Sequence, residues 1–332
     1  MTEKIKVSIL CVTYNQARFI RQALDGFMMQ KTDFAFEVLV HDDASTDGTA
    51  DIVREYAQKY PEIIKPVFQV ENQFSKGVNV DKTYNWPRIQ GEYVAICDGD
   101  DYWTDEHKLQ KQVKFLDAHP DFSICFHRAK VIWDDNSHKS YISPKAKMRF
   151  HRRVLKLSHL LKCNFIQSSS VMYRWRLKGQ ENLCPDGILP VDYFLHLLHA
   201  EAGKIGYLPD VMSVYRRNGG GIFTGAGQSD TWFLKYALQH MAFYEAVENE
   251  FQCNKKAEMA SMFKKAAFTF LVYQDWDKLK VLGSKYADKL DVKSYDDDLK
   301  LKKCQKKNRR LKKILIIVCY MLLLSIIGII IK

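Results

Sequence analysis

Short apolar runs alternate with amphipathic stretches along the first third of the chain. Val7–Val12 (VSILCV), Phe36–Val40 (FEVLV), Ile64–Val70 (IKPVFQV) and Tyr93–Cys97 (YVAIC) are too short for buried helices and carry many β-branched or aromatic residues, so each predicts a strand. Between them Phe19, Ile20, Ala23, Leu24 and Phe27, then Ala50, Ile52, Val53 and Tyr56, repeat at helical spacing, and Lys108–Leu116 (KLQKQVKFL) is a further amphipathic helix. Strands alternating with helices predict an α/β fold with a mostly parallel sheet and right-handed crossovers. Pro66 favours an edge position for the third strand. In such sheets ligands bind at the carboxyl ends of the strands, so the polar residues that follow each apolar run are the first to search for chemistry.

The pattern weakens after residue 120 and then returns. Ser123–Phe126, Lys130–Trp133 and Asn164–Tyr173 read as strand material, separated by a polar, basic loop at 137–153. Pro190-Val191-Asp192-Tyr193 opens a helix. Lys204–Leu208 and Val211–Tyr215 predict a closing hairpin or paired strands. Beyond Asp230 the patterns are helical, over Trp232–Phe251 and Ala257–Tyr273. Ile314–Ile331 carries no charge, and its 18 residues would span about 27 Å as a helix, enough for one membrane crossing.

Composition sharpens the reading chiefly at that end. With 332 residues and 47% hydrophobic content, the chain buries a full core. The net charge of +11 would point to nucleic acid, but nine of the lysines and arginines fall within 300–313 without an acid among them. The remainder of the chain is close to neutral, so the basic cluster predicts an anionic lipid surface and a cytoplasmic orientation rather than nucleic acid. The eight cysteines form no C-x-x-C pair or finger spacing, which speaks against a disulfide framework or a zinc site. No apolar signal segment precedes the first strand.

Candidate chemistry sits where apolar runs stop. Asp98, Asp100 and Asp101 follow Tyr93–Cys97 directly, and carboxylates crowded at one strand end call for a cation. Oxygen ligands suit Mg²⁺ or Mn²⁺, which one or two acids and substrate phosphates commonly hold. The alternative is an acidic turn capping the helix that begins near Asp105. Asp43, at the end of the second strand, suits nucleotide hydroxyls or a base amide, or else an Asx-turn. Asp192 in the first turn of its helix is explained by the helix dipole, or by service as a general base if that turn faces the acidic corner. Arg216 and Arg217, ahead of Gly219–Gly221, would either meet a diphosphate under a flexible flap or form a plain linker.

These segments, Val7–Asn15, His41–Thr49 and Gly91–Trp103, together resemble family 2 glycosyltransferases of the GT-A fold, over about residues 5–222. The resemblance implies a Rossmann-like catalytic domain at 1–222, and the residue patterns beyond it add a helical extension at 223–299, a basic juxtamembrane segment at 300–313 and a single membrane helix at 314–331. It implies that Val12, Thr13 and Tyr14 flank a uracil site, that Asp43 binds the nucleoside, that Asp98 lies by the ribose or sugar and that Asp100 ligates Mn²⁺ or Mg²⁺. Asp192 matches the general base of inverting members. The segment after Tyr215 resembles one that often reads Y-R-x-H-G-G, with Asn218 here in place of the histidine and Arg216 and Arg217 left to close the site. The expected activity is transfer of a hexose, glucose or galactose favoured, from a UDP-sugar to a polyprenyl-diphosphate-linked saccharide in O-antigen or capsule synthesis, at the cytoplasmic face of a bacterial inner membrane. Two rivals are a catalytically inactive nucleotide-sugar-binding membrane scaffold and a nucleotidyltransferase. The latter normally needs a Gly-rich basic phosphate loop near the N-terminus, which is missing.

Overall fold

β1 (Ile5–Thr13) is flanked by parallel partners on both sides, β2 (Ala35–Asp42) and β4 (Tyr93–Ile96), and β3 (Ile64–Phe68) extends the run beyond β2. The computed structural model describes residues 4–145, 154–219, 221–222 and 229–290. They fall into two compact units, 4–187 with 191–222 and 188–190 with 229–290.

In the first unit, helices α1 (Ile20–Met28) and α2 (Thr49–Lys59) follow β1 and β2, and α3 (Lys108–Ala118) follows β4 and the two-residue β5 (Tyr102–Trp103). Val7, Ile9 and Cys11 of β1 pack in one cluster with Ile20, Leu24 and Phe27 of α1, Val38 and Val40 of β2, and Tyr93, Ala95 and Cys97 from the β4 segment, all fully buried. Burial on both faces explains why these strands read as continuous apolar runs instead of alternating ones. Gly91 lets β4 start beside β1, because a Cβ there would lie 2.4 Å from the Ser8 backbone nitrogen. The Ser8 hydroxyl accepts the Gly91 N–H at 2.9 Å and donates to buried Glu37 at 2.6 Å, which fixes the two strands at that end.

The rest of the sheet corrects the expectation of a mostly parallel one. β8 (Val171–Arg174) lies antiparallel to β4 and to β6 (Phe122–Trp133), so the sheet is mixed, in the order β3-β2-β1-β4-β8-β6-β9-β5. Short β7 (Tyr141–Ser143) pairs with β6. An apolar run carries no sign of its direction, which is why the reversal was invisible in the residues. The two segments at 123–126 and 130–133 are one strand, β6. The expected hairpin at 204–215 is likewise one strand, β9 (Lys204–Arg217), parallel to β6. Its register jumps from His127↔Leu208 to Arg128↔Val211, so Pro209 and Asp210 are taken up in a bulge that reads as a turn. The helices α4 (Leu157–Leu160) and α5 (Val191–Ala202) complete this unit.

The second unit contains α6 (Asp230–Phe251), α7 (Lys256–Val272) and α8 (Trp276–Tyr286). The Ser229 hydroxyl caps α6 through the Trp232 amide at 3.2 Å, and Asp275 caps α8 through the Lys278 amide at 3.2 Å. Phe233, Met241 and Phe243 of α6, Met259, Phe263 and Phe270 of α7 and Leu282 of α8 are buried, and α7 packs with both neighbours.

The expected single C-terminal membrane anchor, and the inner-membrane location built on it, is corrected. Among the described residues no helix is long and apolar enough to cross a membrane. The segments 300–313 and 314–331, on which the anchor and the contact with anionic lipids rested, lie outside the described residues.

Candidate active site

The exits of β1, β2 and β4 are stitched together by their own backbones. Thr13 carbonyl accepts the Asp43 N–H at 3.0 Å, and Val12 carbonyl accepts the Gly99 N–H at 2.9 Å. Asn15, in left-handed geometry (φ 51°), accepts the Thr46 N–H at 2.8 Å through its side chain, while its own N–H donates to Ser45 at 2.8 Å. The Thr13 side chain is buried and donates to Gln16 at 2.8 Å; Val12 is half-buried and Tyr14 exposed. Val12, Thr13, Tyr14 and Asp43 therefore occupy one continuous edge.

Asp43 is 1% exposed, and its two carboxylate oxygens accept the N–H groups of Gln73 at 2.8 Å and Phe74 at 3.0 Å. His41 Nε2 lies 3.4 Å from the same carboxylate, and burial lowers the pKa of that imidazole. Here Asp43 organises the loop at 71–76.

At the β4 exit the carboxylates are less provided for. Asp98 and Asp100 are half-buried and Asp101 is fully buried. Burial, then the charges of Asp100, Asp81 and Asp192, pushes the Asp98 carboxyl well above its ordinary range. Asp101 is driven the same way, by burial and then by Asp100. Asp100 is raised by burial and partly relieved by the Asn218 amide, whose Nδ2 donates to it at 2.7 Å, and by the charge of Arg216. Gly99 permits this crowding, since a Cβ there would stand 2.6 Å from the Gln16 side-chain oxygen and 2.7 Å from the Thr13 hydroxyl.

Asp192 opens α5, a helix that follows β8 in the chain, yet it acts on the same groups. Besides its effect on Asp98, its charge together with those of Asp101 and Asp100 adds to burial in raising the Tyr215 hydroxyl well above its usual pKa. Tyr173, on β8, is raised by burial and then by Asp192 and Asp81. The DGD corner and the Asp192 turn thus share one electrostatic neighbourhood. Asp192 is half-buried, and burial raises its own carboxyl.

Arg216 is 8% exposed, while Arg217 is half-buried beneath Trp133, with its guanidinium 5.2 Å from the ring centroid. Asp81 was missed by sequence reasoning. It opens a single π-type turn, Asp81–Asn85, accepts Asn85 Nδ2 at 2.7 Å, and is pushed by burial to about 6. The aperiodic polar stretch 71–85 held no signal for it beyond its many side-chain amides.

A model of the family described as "Glycosyl transferase family 2" matches residues 8–218. The chain belongs to that family. An uncharacterised protein of Mycobacterium tuberculosis is 44% identical over 220 residues, covering 66% of this chain and 61% of that protein, so the match spans less than two thirds of the relative's own length. Among solved structures, TarS residues 1–349 of S. aureus in complex with UDP-GlcNAc superposes with a TM-score of 0.54 at 19% identity, covering 85% of this chain and 76% of that one. The mannosyltransferase PcManGT of Pyrobaculum calidifontis, in complex with GDP-Man and Mn²⁺, gives 0.52 at 19% identity, covering 86% and 76%. At these identities the likeness is one of fold.

The family 2 corner fits a divalent cation on its own chemistry. The charge of Asp100 adds to burial in raising Asp98, and both carboxyls present hard oxygen donors. Among the described residues no group of three His, Cys, Asp or Glu side chains is arranged to hold a metal by itself. That donor set suits an ion completed by waters and by the phosphates of a substrate.

Proposed function

We propose that this family 2 chain is an inverting, metal-dependent hexosyltransferase that uses a UDP-sugar, with glucose or galactose as the transferred hexose. The observation that carries the reading is the shared neighbourhood of Asp98, Asp100 and Asp192, contributed by two separate strand and helix ends. Asp100, with Asp98 beside it, would hold Mn²⁺ or Mg²⁺, which when bound neutralises charge on the departing diphosphate as a Lewis acid. Val12, Thr13 and Tyr14 edge the nucleoside site, and Asp43 shapes it through the 71–76 loop. Asp192 accepts the proton of an acceptor hydroxyl as that oxygen bonds to the anomeric carbon; the bond from that carbon to the diphosphate oxygen breaks on the opposite face, inverting the configuration. Burial makes this carboxylate a stronger base than an exposed one, and the rigid α5 start positions it. The family resemblance supports a polyprenyl-diphosphate-linked saccharide as the acceptor.

The test is UDP release from UDP-glucose and UDP-galactose with Mn²⁺ and saccharide acceptors. Loss of turnover in Asp192→Ala with donor binding retained supports the reading. Binding of UDP-sugar without UDP release under any acceptor condition supports the inactive scaffold.

A further inference from the structure

Arg216 has the composition of a phosphate ligand and the surroundings of a strut. Its guanidinium Nη1 donates to the Asp100 carbonyl oxygen at 2.6 Å and its Nη2 to the Gln22 side-chain oxygen at 2.7 Å. The same group lies over the Phe19 ring, 4.4 Å from its centroid, and 5.2 Å from that of Tyr102. Its main-chain N–H donates to the Asp101 carboxylate at 2.7 Å. Two residues on, Asn218 holds the Asp100 carboxylate. The end of β9, with Asn218 just beyond it, therefore grips the main chain of Asp100 and the carboxyl groups of Asp100 and Asp101, in register with the Tyr102↔Val214 pairing of β5 and β9. To reach a diphosphate, the guanidinium would abandon two charge-assisted hydrogen bonds and its aromatic flanks. The Arg217 side chain is less committed: its Nε has no hydrogen-bond partner among the described residues, and its Nη2 donates to the Tyr141 hydroxyl at 3.5 Å.

We propose that Arg216 is a positioning residue which fixes Asp100 for the cation, and that it does not itself bind the diphosphate. This rests on the donor-site reading above. Gln22 shares the task from α1: it is exposed, its amide oxygen accepts from Arg216, and its removal leaves the core untouched.

The experiment uses the full chain and its Arg216→Gln, Arg216→Lys and Gln22→Ala variants. Mn²⁺ affinity at saturating UDP is read from the electron paramagnetic resonance of free Mn²⁺, and UDP affinity is measured calorimetrically with Mn²⁺ and with EDTA. Loss of such supporting contacts typically weakens metal binding by about 10- to 100-fold, and that is expected for Arg216→Gln, with UDP affinity in EDTA unchanged. Arg216→Lys should not rescue it, because one ammonium cannot span the carbonyl and the amide in the same plane. Gln22→Ala should shift Mn²⁺ affinity in the same direction by a smaller factor at unchanged melting temperature. It carries the test should Arg216→Gln fail to fold.

A fall in UDP affinity that is equal with Mn²⁺ and EDTA overturns the proposal, since the guanidinium would then be holding the diphosphate. Mn²⁺ binding that neither Arg216→Gln nor Gln22→Ala alters overturns it too. Absence of Mn²⁺-dependent UDP binding in the parent chain overturns the donor-site reading as well.

Discussion

Two strand exits, those of β2 and β4, look alike in the residues and differ in how their acids are satisfied. At β2 the Asp43 carboxylate has a backbone donor for each oxygen and an imidazole beside it, and the protein supplies all of them. At β4 the carboxyls of Asp98, Asp100 and Asp101 are pushed upward by burial, and the three crowd one another at a single corner. A buried acid that the fold completes is an element of architecture. Acids that the fold buries close together, with Asp100 raising both Asp98 and Asp101, would be relieved by an added cation.

The sharpest way to break this contrast lies at Asp192, the acid contributed by α5. Asp192→Asn keeps the shape and removes the base, so kcat should fall by about 10²- to 10⁴-fold while UDP binding stays as in the parent. Asp100→Asn should weaken Mn²⁺ binding at saturating UDP by at least about tenfold, measured by the same resonance signal, with UDP affinity in EDTA unaltered. At the other exit the effect should move from ligand to fold. Asp43→Ala leaves the Gln73 and Phe74 amides without their acceptor, a loss of about 1–3 kcal/mol of stability seen in chemical denaturation. If the variant instead keeps its stability and loses uridine binding, Asp43 belongs with the ligand groups and the contrast fails.

The last expectation concerns pH. The Asp81 carboxyl titrates near 6 in the fold and near 3.8 when unfolded. The native state therefore binds more protons between those values, and stability falls as pH rises from about 4 to about 6. Asp81→Asn lacks that term, so the melting temperature of the variant relative to the parent should climb across this window and level off above it.

The strand-loop-helix units of the first hundred residues were legible because an apolar run, a polar exit and a 3.6-residue repeat are all local properties. The acidic corner was legible for the same reason: Gly99 and the acids on either side of it are contiguous. What could not be read depends on partners far along the chain. The direction of β8 is set by where the chain returns after 134–167, and the continuity of β9 by a bulge at Pro209 that resembles a turn. Asp43 read either as a nucleotide group or as an Asx-turn residue because its donors, Gln73 and Phe74, lie about 30 residues away in an aperiodic loop. The partners of Arg216 are spread from Phe19 to Tyr102, and no spacing rule connects them.

The reversal between β4 and β8 has a consequence for how such a molecule diversifies. Because the neighbours run head to tail, the acidic exit of one strand meets the start of the other, and Ser169 stands there with its carbonyl on the Trp103 indole at 3.0 Å. The acidic corner thus has the parallel run of β3, β2, β1 and β4 on one side and the antiparallel β8 on the other. Changes in the residues that lead into β8 therefore bear on one flank of the corner and leave the parallel run as it was.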